Sequence, residues 1–410
     1  MNLANAKKIG VLSAAAGVIC VLLMKQLKQK TKKKRRIWSE KWLLKRQDGR
    51  GVLHMLEQEL RTEDPESYRQ FIRMCGQHFD ELLECIRSDI VKQTTNMRES
   101  ISAEARLALT LRFLATGETY RSLMFATRIH ESTISLIIPD VCNAICEKLK
   151  SVYLQMPTTE LEWRVIASEF QKHWNFPLCL GAIDGKHINF RPPRSSGSYY
   201  FNYKGDHSIV LLAVADASYK FLYVDIGVNG RVSDGGVYRE SSLKWAIDHN
   251  TLNFPPHECL PGQNTQLPYT FVADDAFPLS TRIMKPYHSR GLTNERRIFN
   301  YRLSRARRVI ENSFGILANR FRILLNTINL NPDKVELITL TCCILHNFLL
   351  EKNPRYLEPS ENTENNIGKL KKLTDMQGGN RAASEALEAR NLFSRFFVTN
   401  GAVPWQNDVL

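Results

Sequence analysis

From Trp38 to about Lys172, apolar residues recur at three- and four-residue steps, the period that gives a series of helices one buried face. Asp64-Pro65 marks a helix start, because Asp can cap and Pro fits the first turn, where its missing N–H costs nothing. Phe71, Cys75, Phe79, Leu82 and Ile86 then form one apolar face. The run SAEARLALTLRFLAT, residues 102–116, predicts a further helix ended by Gly117. Residues 119–149 predict a short helix, a turn near Ile129–His130, and a second helix capped by Glu131–Ser132. That order is helix-turn-helix-like, a shape shared with helical domains that touch no DNA.

Around residue 176 the pattern changes to short, β-branched apolar runs with Gly, Asp and Asn at the joints. Three strands are predicted within 177–190, 207–217 and 220–230, followed by a helix near Gly235–His249 and a strand over 269–273. Residues 300–324 predict one long helix whose buried stripe is Ile310, Phe314, Leu317 and Phe321, at steps of 4, 3 and 4. Pro332 opens another helix through CCILHNFLL. Three consecutive strands, then a strand and helices, predict an α/β class with a mixed sheet, preceded by an all-α domain. The domain reading is a leader over 1–36, a helical domain over 37–175, an α/β domain over 176–350, and a polar linker with a terminal helix over 351–410.

Charge modifies this picture. The 410-residue chain carries a net +14, which favours nucleic acid or an anionic surface as partner. Ten of the positives, and no acid, precede residue 37, so a basic tail on a soluble protein accounts for much of it. The uncharged run from Ile9 to Met24 is sixteen residues long, short of the roughly 20 that a spanning helix needs. KKKRR at 32–36 reads as a nuclear-localisation or phosphate-binding patch. Nuclear localisation, with cytoplasm as a second compartment, is therefore expected, and a signal anchor over 9–24 is the rival reading. The nine cysteines include no C-x-x-C pair and are expected as free thiols.

Three carboxylates stand at element ends. Asp184 closes the strand LCLGAI, Asp274 closes the later strand, and Glu311 borders the buried stripe of the long helix. Singly, each has an ordinary explanation as a turn acid or a surface ion pair with Arg307 and Arg308. Together they suggest convergent oxygen ligands for Mg²⁺ or Mn²⁺, with room for two ions and hydrolysis of a phosphodiester. If 269–273 is a strand, Asp274 shares a face with Val272 and Thr270, and the adjacent Asp275 shares the other with Ala273 and Phe271.

The segments GAIDGKHI (181–188), NYKGDHSIVLLAVADASYKFLYVDIGVNGRVSDGGVY (202–238), VADDAFPL (272–279), RLSRARRVIENSFGILANRFRIL (302–324) and LHNFL (345–349) closely resemble the Harbinger transposase-derived nuclease family of DDE endonucleases. The likeness covers about 178–348 and continues upstream through EWRVIASEF and LRFLATG. It implies an RNase H-like fold, metal-dependent DNA cleavage by Asp184, Asp274 and Glu311, and dependence on a separate Myb-like DNA-binding protein. A homo-oligomer is a further partner expectation. The family's usual glycine two places after its second acid is Ala276 here.

Remaining polar residues receive lesser roles. Asp234, in VSDGG, reads first as a helix cap and second as a metal ligand. Asp216 and Asp225 read as strand-end or turn acids, His187 as an ordinary strand histidine, and His346 as a satisfied core histidine. Arg302, Arg305, Arg307 and Arg308 crowd one end of the glutamate helix; phosphate contacts and a solvated basic face are the two readings, with Lys186 and Lys204 as weaker DNA-binding candidates. The functional expectation is a two-metal endonuclease; the alternative is a catalytically silent descendant that binds DNA or chromatin.

Overall fold

The helix-period region folds as a run of separate helices. Asp64 caps α1 (Pro65–Ile72) by accepting from the Ser67 amide, and Ser102 caps α3 (Ala103–Thr116) by accepting from the Ala105 amide. Gly117, at φ 70, ends α3 in the left-handed conformation that lacks a steric penalty only for glycine. The stripe from Phe71 to Ile86 does not belong to one helix. Arg73 turns left-handed at φ 62, and α2 (Gly76–Ile90) starts anew after Cys75. Apolar spacing is blind to such a break when the new helix resumes on the same face.

The helix-turn-helix-like segment comprises α4 (Tyr120–Thr127), a left-handed Arg128, and α5 (Glu131–Tyr153). His130 is the cap, accepting through Nδ1 from the Ser132 amide, so the cap lies one residue before the predicted pair. Pro139 inside α5 cannot donate to the Ser135 carbonyl. Lys334 Nζ donates to that oxygen instead, at 3.4 Å. Next, α6 (Glu160–Trp174) opens on a complete capping box formed by Thr159 and Glu162.

The sheet is built from β1 (Cys179–Asn189), β2 (Ser208–Ala215), β3 (Phe221–Asn229), β4 (Thr270–Val272) and β5 (Ile283–Met284), in the order β3-β2-β1-β4-β5. The first three are antiparallel neighbours, whereas β1 with β4 and β4 with β5 are parallel. This is the mixed α/β sheet expected of an RNase H-like fold. The predicted helix near Gly235–His249 is two helices, α7 (Asp234–Glu240) and α8 (Ser242–Asp248), because Ser241 is extended and caps the second. A small hairpin pairs Glu258–Cys259 with Gln266–Leu267.

The long helix α9 (Asn294–Arg320) starts six residues earlier than predicted and stops at Arg320. Its start signal is Thr293, whose hydroxyl accepts from the Arg296 amide. Ile310, Phe314, Leu317 and Phe321 are all buried, each such side chain contributing about 1.5–3 kcal/mol. Helix α10 (Pro332–Lys352) follows, then a two-residue strand β6 (Lys371–Lys372) antiparallel to Lys186 and His187 of β1, and finally α11 (Ser384–Val398). The computed structural model describes residues 22, 24, 40–94, 99–288, 290–353, 356–357, 370–372 and 383–407. Residues 1–50 and 51–410 form separate units, and in the first the only element from residue 40 onward is the helical turn Lys41–Leu44. No helix among the described residues is long and apolar enough to cross a membrane. The basic patch 32–36 lies outside them, as does the apolar run 9–24 apart from residues 22 and 24.

Two buried polar side chains tie the layers together. Asn347 of α10 donates to the Tyr153 and Phe221 carbonyls, both at 2.7 Å, and accepts from the Phe221 amide at 2.9 Å. It thereby joins the end of α5 to β3, with both N–H donors and its oxygen engaged. Arg302 of α9, expected in a basic cluster, is only 2% exposed. It donates to the Asn175 and Gly401 carbonyls and to Gln406 Oε1, and its guanidinium lies over Phe397 at 4.5 Å. Phe176 packs on Phe393 and Phe397 beside it, at 5.6 and 5.2 Å. Cys142, Cys179, Cys342 and Cys343 are buried free thiols.

His346 is the satisfied core histidine that its apolar neighbours suggest. Nε2 lies 2.9 Å from the Tyr219 carbonyl, which only accepts, so Nε2 carries the proton and Nδ1 accepts from the Tyr356 hydroxyl at 2.8 Å. Burial depresses its pKa to about 4 from 6.5. Between those values the unfolded state binds more protons, so stability falls as the pH drops. From this group the expected loss between pH 7.5 and pH 5 is about 2 kcal/mol, and urea unfolding of the wild type and His346→Asn at both pH values checks it. The variant should be less stable at pH 7.5 and should lose that part of the acid sensitivity.

Candidate metal centre

The parallel register of β1 and β4 places two of the predicted acids. Ala182 stands opposite Val272, the last residue of β4. Two residues further along each chain, on the same face, come Asp184 and Asp274. Asp184 does not close its strand as expected. It lies in the middle of β1, which continues against β2 to Asn189 after its pairing with β4 has ended. What stops beside Asp184 is the neighbouring strand.

A third acid joins them. Side-chain oxygens of Asp184, Asp234 and Asp274 all lie within 4.8 Å of one another. Asp234 is not the helix cap: Ser233 holds that position, and Asp234 is the first residue of α7, 1% exposed. The backbone explains the approach. A Cβ at Gly235 would sit 2.6 Å from the Ala276 carbonyl oxygen, so only glycine lets the start of α7 close on the turn after β4. The Ala276 amide also donates to Asp274 Oδ1 at 3.0 Å, so alanine serves in this turn. The available sequence signal for Asp234 was its paired glycines, in VSDGG.

Like charges this close repel by about 3–4 kcal/mol per pair at an effective dielectric near 20, so the cluster needs positive charge. Lys186 supplies one. It is 3% exposed, forms an ion pair with Asp184, and sits 5.4 Å from the Phe314 ring of α9. Three carboxylates and one ammonium leave a formal −2, and the donors are all hard oxygens, which fits a divalent ion such as Mg²⁺ or Mn²⁺.

Glu311 is half-buried on α9, one turn before Phe314, and accepts from Arg307 Nη2 at 3.0 Å. Among the described residues it is not a member of the 4.8 Å group. Arg305 stacks over Trp405 at 4.3 Å, while Arg308 and Lys204 are exposed. Asp275 pairs with Lys285 at 3.1 Å, and the same ammonium donates to the Asp275 carbonyl. Asp216 is a turn acid, accepting from the Ser218 and Lys220 amides, whereas Asp225 lies inside β3 and accepts from the Tyr223 hydroxyl. His187 is buried with Nδ1 2.9 Å from Ser208 Oγ; burial, then Lys204 and Lys371, depress its pKa to about 4.

Two substitutions test this construction. Lys186→Met removes one member of a buried pair and should destabilise the protein by about 3–5 kcal/mol in chelator, with part restored by Mn²⁺, as measured by urea unfolding. Gly235→Ala should separate α7 from the turn after β4 and weaken Mn²⁺ binding by roughly tenfold or more in calorimetry, while replacing the neighbouring Gly236 should have a smaller effect.

Residues 183–347 match the family model described as DDE superfamily endonuclease. An Arabidopsis thaliana protein named ALP1-like is 28% identical over 307 residues, 72% of this chain and 74% of its own length. A putative nuclease of Homo sapiens, HARBI1, is 27% identical over 273 residues, 66% of this chain and 73% of its own. The Arabidopsis thaliana protein named Antagonist of Like Heterochromatin Protein 1 is 25% identical over 299 residues, 71% and 74% of the two chains. No solved structure gives a significant match. Residues 183–347 thus match a DDE superfamily endonuclease domain, and the chain as a whole is similar to proteins named ALP1-like and putative nuclease.

Proposed function

We propose that this protein is a divalent-metal-dependent DNA endonuclease that hydrolyses phosphodiester bonds. The observation that carries the reading is the convergence of three aspartates at the open end of a parallel strand pair, on a segment matching the endonuclease family. Asp184 and Asp274 act as ligands, and Asp234 is added to them. Glu311 is assigned as the helix-borne acid, supported by its position one turn from Phe314, whose ring borders the Lys186–Asp184 pair. A bound pair of divalent ions supplies water activation and neutralises charge on the departing oxygen.

The protein's own contribution is to fix these carboxylates before substrate arrives. The β1–β4 register sets two of them and the Gly235 contact the third. Lys186 holds one oxygen of Asp184, which leaves the other to face a cation. Arg307 orients Glu311, and Arg305, Arg308 and Lys204 are assigned to DNA phosphates. Residues 37–175 are read as a helical DNA-contacting domain and 176–350 as the catalytic one. A nuclear location directed by the basic patch, a Myb-like partner and a homo-oligomer complete the proposal.

The alternative is a catalytically silent DNA- or chromatin-binding descendant. One observation favours it: an ammonium already occupies Asp184. Incubation of the purified chain with supercoiled DNA separates the two. Nicking is expected with Mg²⁺ or Mn²⁺ and not in chelator. Asp184→Ala, Asp274→Ala and Glu311→Ala should each abolish it, and Asp234→Asn should lower it by roughly 100-fold or more. Asp275→Ala should leave it largely intact. Full activity in all of the acid variants would sink the assignment, and metal-independent DNA binding without nicking, even with the partner protein added, would select the silent reading.

A further inference from the structure

The loop from β1 to β2, residues 190–207, turns three aromatic side chains outward. Tyr199 is 59% exposed, Phe201 45% and Tyr203 51%. The residues between them face inward. Tyr200 packs edge-on against Phe190 at 4.9 Å. Asn202 is 1% exposed, donates to Ser208 Oγ at 2.9 Å, and accepts from the Lys204 and Asp206 amides at 3.0 and 3.1 Å. A buried amide, bonded through both its nitrogen and its oxygen, pins the loop backbone from within.

Positive charge accompanies them. Arg191, Arg194 and Lys204 are exposed, and Lys204 Nζ lies 5.3 Å from the Tyr203 ring. Both arginines line a cavity of about 340 Å³ at the base of the loop, together with Asn189, Phe190 and His207. The one acid of the loop, Asp206, is engaged by Lys371. Exposed aromatic side chains flanked by cationic ones match a nucleic-acid strand whose bases are not paired. Every base offers a π-face to stack and every nucleotide a phosphate, whereas a duplex conceals its base faces. A protein partner with an apolar surface would meet a cationic rim here.

We propose that this loop binds an unpaired DNA strand, with bases stacked on Tyr199, Phe201 and Tyr203 and phosphates held by Arg191, Arg194 and Lys204. The choice of DNA rests on the endonuclease reading. Fluorescence anisotropy of the full chain in excess chelator, where neither cleavage nor bound metal contributes, tests it with labelled oligothymidylate and a duplex of equal length. The Tyr199→Ala/Phe201→Ala/Tyr203→Ala variant should bind oligothymidylate roughly tenfold or more weakly, with duplex affinity within about twofold of wild type. Tyr199→Phe/Tyr203→Phe, which keeps the rings, should bind as wild type does.

Unchanged binding of oligothymidylate, or equal loss on strand and duplex, would overturn the inference. So would aromatic-dependent binding of oligouridylate without binding of oligothymidylate. A chain that nicks no DNA but shows the selective loss retains this inference while the nuclease reading fails. Nicking combined with unchanged single-strand binding does the reverse.

Discussion

A parallel contact only a few residues long, between β1 and β4, is the constraint on which the acid cluster depends. Carboxylates do not gather spontaneously; their mutual repulsion must be overcome by a backbone that has nowhere else to put them. Pairing Ala182 with Val272 does this for two acids. The third depends on a contact between two backbones, at Gly235 and Ala276, that any side chain would prevent. Lys186 then offsets part of the repulsion from inside the sheet, so the cluster is both placed and partly neutralised by the strand that carries Asp184.

That seam holds because the surrounding layers are tied to it. Phe314 of α9 borders Lys186, which sets the glutamate-bearing helix on the acid-bearing face of β1. On the far side of the sheet order, Asn347 locks β3 to the end of α5, so the helical region and the sheet share one buried polar joint. Beyond Ala182 the edge of β1 that faced β4 would be open, and β6 pairs there with Lys186 and His187.

Much of this was legible in the residues. The change near 176 from helical period to short, β-branched apolar runs, the caps at Asp64 and Ser102, and the buried stripe of α9 follow from local chemistry that does not depend on distant partners. The alternation argument at Asp274 and Asp275 also depends only on local geometry, and the two side chains do diverge: one enters the carboxylate group and the other pairs with Lys285. What sequence pattern misses is long-range. Arg302 looks like its exposed neighbours until Asn175, Gly401 and Gln406 surround it. Asp234 looks like a cap because Ala276, which approaches the neighbouring Gly235, lies 42 positions away in the chain. Helix breaks at Arg73 and Ser241 leave the apolar spacing intact and so give no periodic signal.

The surroundings of Arg302 bear on how the protein can be divided. The segment matched by the family model ends at 347, yet the guanidinium in its midst donates to a carbonyl at 401 and an amide oxygen at 406, and its aromatic cover comes from Phe397. A piece trimmed to the recognisable region would keep every acid of the centre and leave a buried cation facing an empty slot, at a cost of several kcal/mol. The segment matched by the family model is therefore smaller than the unit that packs around Arg302, and a shortened protein needs its own chain through Gln406 to keep that packing.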